Sequence, residues 1–193
     1  FDMNVTGAGT FNAASPVVAG DTVLISESYG PGSALLRVKP GGFEVVWQDP
    51  RRGQSLQQHW ATPVLREGTL YASSGQASGE AELRAVDHRS GKVLWREKGL
   101  GRANLIYADG HLPVLTEPGR LLLVKATPER FVKLAELDLG AGSASDNSRA
   151  KTGVTASTER PRLLFPAWNA PVLSNGRLYL RGRDQIVCLR VGK

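Results

Sequence analysis

Few side chains in this sequence are of a type that does covalent chemistry, and their spacing does not assemble them. The histidines His59, His88 and His111 are scattered along the chain, without the short intervals from which a zinc site is built. The single cysteine, Cys188, excludes an internal disulfide and any multi-cysteine metal centre. Its apolar setting, Ile186 to Leu189, predicts a small buried core residue. A hard cation needs several converging oxygen ligands, and Glu80 with Glu82 is too small an acidic group to supply them. Gly99-Leu100-Gly101-Arg102 lacks the third glycine of a dinucleotide loop, and no nucleophile elbow is present. The reading is therefore of a chain with no catalytic residue, no cofactor site and no metal site.

Two groups of side chains are suited to binding instead. Trp60 and Trp168 both stand three residues before a proline, Pro63 and Pro171, and each has a polar neighbour, His59 or Asn169. A repeated indole of this kind either lines a pocket mouth or packs between structural units. Arg177, Arg181 and Arg183 cluster near the end of the chain. On a strand the period of two puts Arg177 and Arg181 on one face, with Arg183 beside them if pairing stays regular. They form either a patch for an anionic ligand or a solvated sheet edge.

The charge is unevenly placed. Residues 1–140 carry fifteen basic and fifteen acidic side chains, whereas residues 141–193 carry nine and three and account for the whole excess of +6. Aromatic residues make up 7% of the chain and do not alternate with the basic ones, so nucleic acid is not an expected partner. No stretch approaches the length of a membrane span. The chain opens at Phe1 with neither an initiator methionine nor a signal peptide, which predicts a processed or excised piece.

The elements that would position these residues come from a repeat. Ser15–Ile25, Thr62–Tyr71 and Ala170–Tyr179 share one phrase, with a weaker copy at Asn104–Leu112. Each reads as a short strand, a two-residue turn such as Glu67-Gly68 or Asn175-Gly176, and a returning strand. A second strand pair follows each copy: Ala34–Lys39 with Phe43–Trp47, Glu82–Asp87 with Lys92–Trp95, and Arg120–Lys125 with Phe131–Leu134. The last copy has only Gln185–Arg190. Arg120–Leu139 is compatible with a helix but reads better as two strands around the Thr127–Arg130 turn. The expected class is all-β: four-stranded antiparallel blades at about 12–49, 58–98, 102–139 and 167–193, with an irregular insertion at 140–166 rich in Gly, Ser and Ala.

Ala85-Val86-Asp87-His88-Arg89-Ser90-Gly91-Lys92-Val93-Leu94-Trp95 resembles the A-x-D-x-x-T-G-x-x-x-W signature of quinoprotein-type (PQQ-like) β-propeller repeats, with Ser90 in place of threonine. The resemblance implies that the Asp-to-Gly segment turns between the third and fourth strands and that the tryptophan packs between blades. His88 then sits at an unconstrained turn position and is expected to face solvent. The other units keep only Trp47 and carry Lys39, Lys125 and Arg190 at the aspartate position. The chain is similar to the C-terminal half of bacterial outer-membrane-assembly-lipoprotein-like propellers. That likeness implies further blades before Phe1, a ring of seven or eight, and a periplasmic or extracellular setting. A closed four-bladed ring, its last blade completed by residues 1–11, is the alternative.

Propellers close their sheet edges by radial repetition and leave the loops of each rim free for recognition. The expected function is a non-catalytic scaffold for a protein or an envelope component, with Trp60, His59, Trp168, Asn169, Arg177, Arg181 and Arg183 as its binding surface. Two alternatives stay open: a PQQ-dependent oxidoreductase whose cofactor site lies in other blades, and a polyanion- or polysaccharide-binding module.

Overall fold

The computed structural model describes residues 13–50, 52–140 and 162–191. Its strand order is set by four tight hairpins. In three of them both turn residues take positive φ: Glu67 and Gly68 at 48° and 78°, Asp109 and Gly110 at 45° and 75°, and Asn175 and Gly176 at 48° and 68°. That geometry reverses the chain with a twist matching the flanking strands. In the first hairpin the glycine leads instead, with Gly20 at 60°.

Each hairpin opens an antiparallel sheet. β1 (Val17–Ala19), β2 (Thr22–Ser26), β3 (Ser33–Lys39) and β4 (Gly42–Gln48) form the first. β5 (Val64–Arg66), β6 (Thr69–Ser74), β7 (Glu82–Asp87) and β8 (Val93–Glu97) form the second. β9 (Ala103–Leu105), β10 (His111–Thr116), β11 (Arg120–Lys125) and β12 (Lys133–Asp138) form the third. β13 (Val172–Ser174), β14 (Arg177–Arg181) and β15 (Ile186–Arg190) form a three-stranded fourth. The described residues contain no helix, and so none long and apolar enough to cross a membrane. The chain is all-β, built as about four blades of a β-propeller. β11 and β12 also settle the helix-compatible stretch as two paired strands.

Successive sheets pack face to face. Leu24 and Leu35 of the first meet Leu70 and Val86 of the second. Tyr71, Ala85 and Trp95 of the second meet Leu105, Val114 and Leu122 of the third. Leu115 of the third meets Leu178 and Leu180 of the fourth. Residues 141–161, most of the expected insertion, lie outside the described residues. Its described end is irregular backbone anchored in the core: Leu163 is fully buried and bridges Gly140.

The tryptophans tie each blade to the next blade's turn. Trp47 Nε1 donates to the His88 carbonyl at 2.9 Å, and Trp95 Nε1 donates to the Thr127 carbonyl at 2.9 Å. Within the first of these turns the Asp87 carboxylate accepts from the Ser90 amide at 2.8 Å and the Ser90 hydroxyl at 2.5 Å. Serine thus does the bonding expected of the usual threonine. Docking of Trp47 against this turn also buries His88, to 8% exposure, and corrects the expectation that it faces solvent.

Gly91 holds φ at 71°, and a Cβ there would come within 2.9 Å of the Trp47 ring. Gly91→Ala is expected to cost about 2 kcal/mol, from backbone strain and the displaced indole together. A urea melt unchanged by the substitution would show that the turn does not depend on that contact.

Among the described residues, the faces at either end are uncovered. Val18, Val38, Phe43 and Val45 of the first sheet are 48–68% exposed. On the fourth sheet Val172, Tyr179 and Cys188 are cross-strand neighbours on one exposed face. Their counterparts on the second sheet, Val64, Tyr71 and Ala85, are covered by the third. Tyr71 is 2% exposed and Tyr179 37%. Cys188 is exposed for the same reason, which corrects its expected burial: it lies on a face that no later sheet covers among the described residues.

Candidate functional site

The first strands of the sheets all begin at one rim, where the connections between units and the β2–β3, β6–β7 and β10–β11 loops also lie. Four units bring polar and aromatic side chains together there. Trp60, from the connection into the second unit, meets Trp168, from the connection into the fourth, with ring centroids 5.2 Å apart. The Arg102 guanidinium, from the connection into the third, lies 4.6 Å over the Trp60 ring and 5.9 Å from that of Trp168. Such stacking on an indole is favourable for a cation.

Glu117, which follows β10, holds the group in place. Its carboxylate accepts from Arg102 Nε at 3.1 Å and from a terminal guanidinium nitrogen at 2.5 Å, and from Trp168 Nε1 at 2.6 Å. The Glu117 side chain is 1% exposed and that of Arg102 21%. Burial alone would raise the Glu117 pKa, but hydrogen bonds from Arg102, Ser78 and Trp168 keep it below the ordinary carboxylate value. The main chain repeats the link: the Glu117 amide donates to the Arg102 carbonyl at 2.8 Å, and the Ala167 amide donates to the Glu117 carbonyl at 2.9 Å.

His59 extends the group towards the first unit. Its Nε2 shares a 2.5 Å hydrogen bond with the Tyr29 hydroxyl, and its ring packs 4.6 Å from that of Trp60. Burial lowers the His59 pKa, with Arg102 adding to the effect and Glu117 opposing it. His88 is lowered chiefly by burial as well. Below the ordinary value of 6.5 the unfolded chain therefore protonates before the folded one. Stability is expected to be complete above about pH 6.5 and to fall with pH until each lowered folded pKa is passed. Urea melts between pH 7 and 5 should show this slope, and His59→Asn with His88→Asn should flatten it. A wild-type slope no steeper than that of the double variant would refute the assignment.

Beside the indoles is a cavity of about 340 Å³, lined by Trp60, Thr62, Val64, Asn104, Trp168 and Asn169 among others. Asn104 closes one side, its Nδ2 donating to the Trp168 carbonyl at 2.7 Å. Trp60 Nε1 is buried and has no hydrogen-bond partner. The Tyr29 hydroxyl and the His59 imidazole lie beside this cavity, whose walls are indoles, amides and a hydroxyl. Its geometry suits non-covalent capture.

The family model described as outer membrane protein assembly factor BamB matches residues 2–133. The chain belongs to that family. BamB from Moraxella catarrhalis superposes with a TM-score of 0.59 at 12% identity, over 91% of this chain and 41% of that one. The chain thus spans about two-fifths of that BamB's length. The computationally designed Ika4 protein superposes at 0.60 and 9% identity, over 98% and 96% of the two chains. Quinohemoprotein alcohol dehydrogenase from Comamonas testosteroni gives 0.57 at 16% identity, over 95% and 34%. At these identities the likenesses show the fold. A comparison with curated protein sequences returns no significant match.

In this BamB-family chain the seven residues singled out in the sequence fall into two places. Trp60, His59, Trp168 and Asn169 are gathered at the rim, whereas Arg177 and Arg181 lie on the exposed face of the fourth sheet beside Tyr179. Arg183 is not in line with them: β14 ends at Arg181, and the Arg183 amide donates to the Leu164 carbonyl at 3.0 Å from the following loop. Sequence reasoning missed Arg102, Asn104, Glu117 and Tyr29. One signal was available for Arg102. It stands three residues before Leu105, as Trp60 and Trp168 stand before their prolines, so it fills the same repeat position.

Proposed function

We propose that this chain is part of a non-catalytic β-propeller that holds a protein or an envelope component at the rim formed by Trp60, Arg102 and Trp168. The observation carrying this reading is the convergence of one repeat position from three units beside an open cavity. Membership of a family named for outer membrane protein assembly supports an envelope setting, periplasmic or extracellular, and a protein partner. The uncovered end faces support a larger ring of seven or eight blades, with further blades joining the exposed first sheet. The blades proposed within this chain are about 12–49, 58–98, 102–139 and 167–193.

The oxidoreductase reading finds less support. Among the described residues no three His, Cys, Asp or Glu side chains are grouped to hold a metal ion. The rim carboxylate, Glu117, is already engaged by Arg102 and Trp168. These residues do not fit a calcium–quinone site, and such a site would have to lie in other blades.

The test pairs two measurements on the purified chain. Immobilised wild type should retain a component from a detergent extract of the cell envelope that Trp168→Ala loses; equal retention by both overturns the rim reading. Incubation with pyrroloquinoline quinone and calcium should give no stoichiometric cofactor absorbance and no dye reduction. Stoichiometric binding with turnover overturns the non-catalytic reading.

A further inference from the structure

We propose that the rim cavity takes a pyranose ring of an uncharged glycan. This rests on the rim being the recognition surface, and it follows from what the site has already satisfied by itself. A cationic ligand would seek the indole faces, but the Arg102 guanidinium, 4.6 Å over Trp60 and 5.9 Å from the Trp168 ring, repels a second cation at both. An anionic ligand would seek Arg102, but both carboxylate oxygens of Glu117 already engage it. None of the residues lining the cavity carries a charge. What is left is a neutral site.

The composition of its walls narrows the ligand further. Trp168 remains 48% exposed, so much of its indole surface is open to a flat apolar face. Thr62 and Asn169 supply a hydroxyl and an amide around it, and Asn104 adds its amide oxygen, its Nδ2 being engaged by the Trp168 carbonyl. A pyranose offers that combination: axial C–H groups on its faces and a ring of hydroxyls that both donate and accept. A purely apolar ligand would leave the Thr62 hydroxyl and the Asn169 amide unanswered. The cavity volume of about 340 Å³ lies at the lower end of the usual range for ligand pockets, roughly 300–1,000 Å³, and suits one or two sugar rings.

The experiment is a titration of tryptophan emission with cellobiose, maltose and chitobiose to about 50 mM, a range that captures weak binding. At least one should give a saturable change with a dissociation constant on the order of millimolar. Asn169→Ala, at an exposed position that leaves the fold intact, should weaken it about tenfold, and Trp168→Ala at least as much. Lys92→Ala, at an exposed position between β7 and β8 on the opposite rim, should leave it unchanged. Raising NaCl should alter the affinity less than about twofold, since no charge is recognised. Absence of any saturable response, or binding indifferent to both rim variants, overturns the proposal. So does a strong loss with salt, which would identify a polyanion. Binding of an uncharged proline-rich peptide at the same residues, with no disaccharide bound, overturns the glycan and leaves the rim as the recognition surface. If Trp168→Ala does not affect envelope-component capture, the rim reading itself fails.

Discussion

Replacing Trp95 with alanine is expected to destabilise the chain by about 4 kcal/mol, the range of a buried large aromatic truncated in a close-packed core. Trp95 is 8% exposed, packs 6.1 Å from Tyr71 in its own blade and 5.8 Å from Phe131 in the next, and donates to the Thr127 carbonyl. Its removal therefore opens the seam between the second and third blades rather than one blade alone. Trp95→Phe keeps most of the ring contact and loses the hydrogen bond, so about 1–2 kcal/mol is expected. Urea unfolding followed by far-ultraviolet circular dichroism measures both. If Trp95→Phe costs as much as Trp95→Ala, the hydrogen bond rather than the packed ring joins the blades.

The second large effect is at Glu117. Glu117→Ala leaves the Arg102 guanidinium largely buried with its carboxylate gone and Trp168 Nε1 without its acceptor. Breaking a buried pair from one side costs about 3 kcal/mol. Glu117→Gln retains an acceptor for Trp168 and should cost less, about 2 kcal/mol. The pH dependence separates charge from shape. The folded carboxyl is held below its ordinary 4.5, so its contribution is complete above that value. It is lost as pH falls through the lowered folded value. Wild type and Glu117→Gln should thus differ at pH 7 and converge as pH falls through that lowered value. A Glu117→Ala variant within about 0.5 kcal/mol of wild type, the scatter of ordinary surface substitutions, would show that the pair does not organise the rim.

The hairpins were legible in the sequence because their cause is local. Glu67-Gly68, Asp109-Gly110 and Asn175-Gly176 set the chain reversal by themselves, and apolar alternation on either side fixes the register. Trp47 and Trp95 were legible from their place after the signature turn. Burial was harder, because it depends on which neighbour covers a face. Cys188 looks like core in its own strand but stands where no further sheet covers it among the described residues, and His88 looks like loop but lies under Trp47 from another blade.

The rim was half legible. A repeat position betrays itself when the residue type recurs, as Trp60 and Trp168 do. It is hidden when a different side chain performs the matching role, as Arg102 does by stacking between them. Glu117 follows from Arg102 only once three connections are seen to meet.

The uncovered face bearing Tyr179 and Cys188 has a bearing on cooperativity. In an array where each unit touches only its neighbours, stability is close to a sum of single-unit and nearest-neighbour contributions. Among the described residues the fourth sheet has one such seam and three strands, while the second and third have two seams each. Fraying should start at that end, with its amides exchanging hydrogen ahead of those in β6 and β10. Since Trp168 enters this sheet through a short connection, any neighbour docking on its bare face would also firm the rim from behind, linking ring completion to ligand capture without direct contact between them.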